Sequence, residues 1–281
     1  MDKQIKIAAI HDMSGFGRCA LTVIIPVLSA MGMQCVPVPT AVLSTHTGGF
    51  EDFVWRDMSD YLSPCCNHYK SLGLKFDAIY SGFLASVGQV DSCLQFFDSF
   101  KTAKRIVDPV MGDNGERYKT YTDQLIARMQ ELVRKADIIT PNLTEAAILL
   151  GEDYPESLDE DTARRWLERL CGMSASAVIK GIPLDNGMYA NISLDGETGE
   201  YKKLEWKKLP YFYPGTGDLF ASVLTGYILQ GCSLSAAVES ATKFSELAIK
   251  ITAKTGNPCR NGVEFERILG LLMGNNGDLC L

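Results

Sequence analysis

Asp137-Ile138-Ile139-Thr140-Pro141-Asn142-Leu143-Thr144-Glu145 is the stretch on which the reading of the fold turns. Ile138, Ile139 and Thr140 are β-branched and suit an extended segment. Pro141 ends it, because proline has no N–H to offer a neighbouring strand. Asn142 can then cap a helix whose third residue is Glu145, a variant of the capping box. A strand passing straight into a helix is half of a βαβ unit, and the rest of the chain repeats it. Short β-branched runs at 5–10, 36–43, 78–80, 105–107, 137–140 and 177–180 read as strands. Stretches with helical spacing lie at 19–31, 87–100, 123–136 and 161–171; in the last, Ala163, Trp166, Leu167 and Leu170 share one face. This alternation predicts an α/β fold, a mostly parallel central sheet with helices on both faces. Residues 188–194 and 201–206 flank the turn-rich Asp195-Gly196-Glu197-Thr198-Gly199 and predict an antiparallel edge hairpin. Segments 219–230, 234–253 and 263–273 then read as helices. No repeat, linker or composition shift divides the chain, so one domain over 1–281 is expected.

Composition narrows the classes. With 46% hydrophobic and 22% charged residues, disordered and fibrous chains are excluded. Lys and Arg number 27 against 34 Asp and Glu, a net charge of −7, which argues against nucleic acid as a partner. The longest apolar stretch, 21–33, is too short for a membrane span and contains Pro26 and Gly32. The nine cysteines (19, 35, 65, 66, 93, 171, 232, 259 and 280) are odd in number and form no Cys-x-x-Cys pair. They suggest neither a disulfide framework nor a metal finger. Without a secretory signal, they point to a reducing cytoplasm. Lys207-Lys208 and Arg164-Arg165 read as solvated faces.

In open parallel sheets, ligands sit beyond the carboxyl ends of the strands. Four segments there carry chemistry. Pro214-Gly215-Thr216-Gly217-Asp218 opens the helix at 219–230. Its glycines let backbone N–H groups converge, and the helix N-terminus adds partial positive charge, so the turn suits an anion such as phosphate. Asp218 fits a base that takes a proton from an attacking hydroxyl, although plain capping also accounts for the pentapeptide. Asn142 and Glu145 fit either a cap or anchors for a hydrated Mg²⁺. Asp108-Pro109-Val110-Met111-Gly112-Asp113 places two carboxylates around a turn after a strand, and Asp108 falls where that strand would enter a site. His11-Asp12-Met13-Ser14-Gly15-Phe16-Gly17-Arg18 follows the first strand. It lacks the third glycine of a dinucleotide fingerprint, and no P-loop occurs in the chain. His11, His46 and His68 share no metal spacing and read as packed or surface residues, with a substrate role open to His46. The polar, Gly-containing segment 112–122 is a candidate lid, and 242–257 a candidate for adenine contacts.

In their order along the chain the four segments resemble the ribokinase superfamily of small-molecule kinases and, within it, the pyridoxal kinases. Pro39-Thr40-Ala41-Val42-Leu43-Ser44-Thr45-His46-Thr47-Gly48 and Tyr80-Ser81-Gly82-Phe83-Leu84 extend the likeness, which runs from about residue 5 to 253. The resemblance implies a ribokinase-like three-layer sandwich and ATP-dependent phosphorylation of the hydroxymethyl group of a B6 vitamer. It implies Asp218 as the base and Gly215, Thr216 and Gly217 as the anion hole. Asp108, Thr140, Asn142, Glu145 and Lys180 would bind ATP, with Asp108, Asp113 and Glu145 at Mg²⁺. Asp12, Ser14, Thr47 and Phe83 would hold a small heteroaromatic alcohol. A homodimer and a response to K⁺ are implied as well. Pyridoxal kinases usually have Ser where Asp12 stands, and a carboxylate there resembles hydroxymethylpyrimidine kinases, so that substrate is the alternative. A non-catalytic vitamer-binding protein is a third reading, against which the intact Asp218, Asn142 and Glu145 argue.

Overall fold

The computed structural model describes residues 4–184, 186–207 and 212–273. Lys208 and Cys280 lie outside the described residues. In chain order the elements are β1 (Lys6–Phe16), α1 (Leu21–Ala30), β2 (Gln34–Thr45), β3 (Trp55–Asp57), α2 (Ser59–Ser71), β4 (Ala78–Ser81) and α3 (Val87–Ser99). Next come β5 (Lys104–Val107), β6 (Gly112–Asp113), β7 (Glu116–Arg117), α4 (Asp123–Val133), β8 (Ile138–Ile139), α5 (Leu143–Leu150) and α6 (Glu160–Cys171). The chain continues through β9 (Ser176–Pro183), β10 (Met188–Asp195), β11 (Tyr201–Lys207), α7 (Thr216–Leu229) and α8 (Leu234–Thr252).

Nine strands form one sheet in the order β11-β10-β9-β8-β5-β4-β1-β2-β3. Pairing is parallel from β9 across to β2 and antiparallel at both margins. The strands read as apolar runs because both faces are buried. Ala8 and Ile10 enter one core while Ile7 and Ala9 enter the other, and Ile106 and Val107, then Ile138 and Ile139, divide in the same way. Helices α2 to α6 cover the first face; α1, α7, α8 and the 3-10 helix Phe265–Leu272 cover the second. This is the three-layer sandwich, with β10 and β11 as the expected edge hairpin.

The helix ends follow local chemistry. The side chains of Ser86, Thr122, Asp159 and Ser233 accept hydrogen bonds from the first-turn amides of α3, α4, α6 and α8. The Asn142–Glu145 capping box is fully formed on α5, which ends on Gly151 at φ 67°.

Several expectations need correction. β1 does not stop near residue 10: His11 to Phe16 continue as strand. β2 runs on beside it, with Met13 opposite Val42 and Ser14 opposite Leu43, after a register shift between His11 and Met13. Cross-strand pairing, which the polar sequence of this stretch conceals, sustains the extension. Residues 265–272 are 3-10 rather than α-helical. α2 was not anticipated, since Pro64 and many polar residues leave only Leu62, Cys65 and Cys66 buried on it. The segment proposed as a lid begins with the small hairpin β6–β7.

Phe97 is fully buried in the first core, with the Arg105 guanidinium 5.5 Å from its ring centre. Phe97→Ala is expected to cost about 3–5 kcal/mol, read as a lowered denaturant midpoint at unchanged slope.

Candidate active site

The turn before α7 is built on Gly215, which caps the helix in the left-handed region at φ 79°. A Cβ there would lie 1.7 Å from the Arg18 carbonyl oxygen, so only glycine fits. Thr216 bonds back to the Tyr213 carbonyl through its hydroxyl. Among the described residues no side-chain hydrogen bond caps α7, whose first amides suit an anion. A Cβ on Gly217 would sit 3.5 Å from Lys180 Nζ, so the lysine borders the same turn.

The Asp218 side chain is 13% exposed. Its Oδ2 accepts the Ala20 amide at 2.7 Å, where α1 begins. Its Oδ1 lies 3.2 Å from His11 Nε2, at ion-pair distance but outside good hydrogen-bond alignment. Burial works to raise the carboxyl; the close His11 ring and its charge, with the Ala20 amide and Lys180, outweigh it and hold Asp218 below the ordinary carboxylate range.

On the other side of the ring, His11 Nδ1 is 2.8 Å from Asp12 Oδ1, and Asp12 Oδ2 accepts the Ser14 hydroxyl at 2.7 Å. Burial alone would lower His11, yet its two carboxylate partners lift it to about 10. The sequence reads this residue as packed or surface, and it is packed, 3% exposed. The ring joins Asp12, at the register shift in β1, to Asp218. Sequence held one signal for it, a histidine directly after the first strand and beside an aspartate, but its second partner comes from the far end of the chain.

Lys180 Nζ lies 2.8 and 2.9 Å from the two oxygens of Asp108, a buried pair that joins the middle of β9, which runs past the expected end at 180, to the residue after β5. Burial would lower the lysine; Asp108 and Glu145 reverse that and keep it charged. Glu145 accepts the amides of Asn142 and Met111, and Asn142 donates to the Gly112 carbonyl, so the capping box also anchors the turn after Asp108. Thr140 is fully buried at the end of β8, and its hydroxyl has no hydrogen-bond partner among the described residues.

Asp108, Asp113 and Glu145 do not close into a ready-made three-carboxylate cage among the described residues. Asp113 turns its carboxylate to the Asn114 amide. Burial pushes Glu145 well up and also raises Asp113. An all-oxygen set whose negative charge is strained by burial fits a hard cation that keeps most of its water, as Mg²⁺ does.

Phe83 follows Gly82, where a Cβ would overlap the His11 ring at 1.9 Å. Its ring meets Trp55 and Tyr121 edge-on, at 6.2 and 6.3 Å between centres. These two aromatics were not read from the sequence. Thr47 is exposed on the bend after β2, one residue past His46, whose Nε2 lies 2.7 Å from the Arg260 carbonyl oxygen. Thr242, in the segment considered for adenine, is buried in α8 and hydrogen-bonded to Asn191.

Comparison with known proteins agrees with this geometry. The sequence profile of the family described as phosphomethylpyrimidine kinase matches residues 22–262. A candidate phosphomethylpyrimidine kinase of Bacteroides thetaiotaomicron is 38% identical; it covers 98% of this chain, which covers 96% of it, at a TM-score of 0.94. A second crystal form of that protein, solved with pyridoxal, gives 0.90 over 96% of each chain. Pyridoxal kinase of Lactobacillus plantarum is 30% identical over 97% of each chain, at 0.89. Pyridoxine kinase of Bacillus subtilis is 24% identical across 88% of this chain and 84% of its own length. The ribokinase-like fold and a kinase acting on a heteroaromatic alcohol follow from these matches. Among the described residues no helix is long and apolar enough to cross a membrane.

Lys180→Met leaves Asp108 buried without its cation and is expected to cost about 3–5 kcal/mol. The double variant Asp108→Asn/Lys180→Met should recover part of that loss in a denaturation cycle.

Proposed function

We propose that this chain, which belongs to the phosphomethylpyrimidine kinase family, transfers the terminal phosphoryl group of ATP to the 5′-hydroxymethyl group of a B6 vitamer. The observation that carries this reading is Asp218: a largely buried carboxylate held below the ordinary range, in the first turn of a helix that has no capping side chain at its N-cap. Asp218 takes the proton of the substrate hydroxyl as the oxygen attacks the γ-phosphorus in line. The bond from phosphorus to the β,γ-bridging oxygen breaks, leaving ADP. The amides of Gly215, Thr216 and Gly217, with Lys180 beside them, take up the charge on the equatorial oxygens. Asp108, Glu145 and Asn142 would hold hydrated Mg²⁺, with Asp113 nearby. The ion would neutralise phosphate charge there. Thr140 offers its free hydroxyl to the nucleotide side. Asp12 and Ser14 would meet polar groups of the pyridine ring, and Phe83 would pack against its face.

A B6 vitamer is supported by the pyridoxal bound to the Bacteroides relative and by the pyridoxal kinase likeness over nearly the whole chain. Asp12 favours one second reading. A carboxylate at the ring pocket accepts a hydrogen bond from an amine as readily as from a pyridinium, which admits hydroxymethylpyrimidine.

Asp218→Asn is expected to lower kcat by about 10²–10⁴-fold while the protein stays folded and still binds ATP; near-normal turnover would remove Asp218 as the base. A panel of kcat/KM for pyridoxal, pyridoxine, pyridoxamine and hydroxymethylpyrimidine, read by ADP release, should rank a B6 vitamer first. Asp12→Ser should change the order of that ranking.

A further inference from the structure

The geometry points to His11 as a charged positioning residue that ties the substrate-side carboxylate Asp12 to the base Asp218 and keeps that base ionised. The inference rests on Asp218 being the base. His11 is 3% exposed and lies on the extension of β1. Each ring nitrogen faces a carboxylate oxygen, at 2.8 Å on Asp12 and 3.2 Å on Asp218. A neutral imidazole carries one N–H, so one bare nitrogen would confront a carboxylate across a buried gap. An imidazolium donates to Asp12 and presents a second N–H, with the charge of the ring, toward Asp218. The Asp12 amide nitrogen, 2.9 Å from Nδ1, is a donor and would favour a bare Nδ1. The carboxylate prevails because a charge-assisted hydrogen bond is roughly twice as strong as a neutral one.

The ring cannot drift from this position. Gly82, just past the neighbouring strand β4, abuts it with no room for a Cβ. Both partners are fixed in turn: Asp12 by the Ser14 hydroxyl, Asp218 by the Ala20 amide.

The other ionisable groups in reach reinforce the arrangement. Asp108 acts on His11 as a further negative charge, and Lys180 acts on Asp218 as a second positive one. The Cys19 thiol and the Tyr80 phenol are pushed far up by burial first and then by the nearby carboxylates, so both stay neutral. Removing the imidazolium would leave burial of Asp218 without its main offset, and the carboxyl would hold its proton to higher pH.

His11→Gln keeps a polar side chain of similar reach without the charge. The acid limb of its kcat–pH profile is expected to move up by about one pH unit or more, with KM for ATP unchanged. A loss equal at every pH would show a merely structural histidine and overturn the proposal. Asp218→Asn, run beside it, separates the two failures: turnover in that variant sinks the base itself, whereas an inactive Asp218→Asn with an unmoved limb in His11→Gln sinks only the role of His11. Should His11→Gln fail to fold, the ring nitrogens of the wild-type chain can be read by NMR at pH 8. Two protonated nitrogens on His11 are expected, and a singly protonated ring would overturn the proposal.

Discussion

The structure is organised around negative charge held where water is scarce. Asp12, Asp108 and Glu145 are all under one-tenth exposed, and the Asp218 side chain is little more so. Two unit charges 4 Å apart interact by about 4 kcal/mol at an effective dielectric near 20, so such a group cannot gather without compensation. His11 stands between two of the carboxylates and Lys180 on a third, while backbone amides serve Glu145. The parallel sheet supplies this compensation because its strands deliver their carboxyl ends to a single edge. A phosphate donor and a hydrated cation would add charges of both signs to a site already poised between them.

Much of this was legible in the chain. Strand–helix alternation survives in the apolar runs because both faces of the sheet are buried. The glycine turn before Asp218 and the Asn142–Glu145 box are local signals whose geometry depends on adjacent residues. The long-range pairings were not legible. Asp12, Ser14 and Gly15 are poor strand formers, and only the partnership with β2 makes this stretch extended. His11 looked like a packed histidine because nothing near it in sequence announces Asp218. Trp55 and Tyr121 reach Phe83 from a margin strand and from the residue just before the α4 cap, contacts with no local pattern.

Close backbone approach sets the precision of the site. At Gly82 the missing Cβ makes room for the His11 ring, and at Gly215 it makes room for the Arg18 carbonyl. In both places a main chain, rather than a mobile side chain, fixes the position of a functional group. The capping box does similar work, since the two side chains that begin α5 also grip residues 111 and 112.

Helix α1 begins at Ala20, which has φ 56° and no capping side chain of its own; the amide at that entry is satisfied by Asp218. Catalytic groups commonly cost a protein stability, so inactive variants are often the sturdier ones. Here the same carboxylate lends a helix its first anchor. Loss of the reaction and a looser α1–α7 contact therefore travel together, and a lineage that gave up the chemistry would have to find a new cap before it could settle into another use.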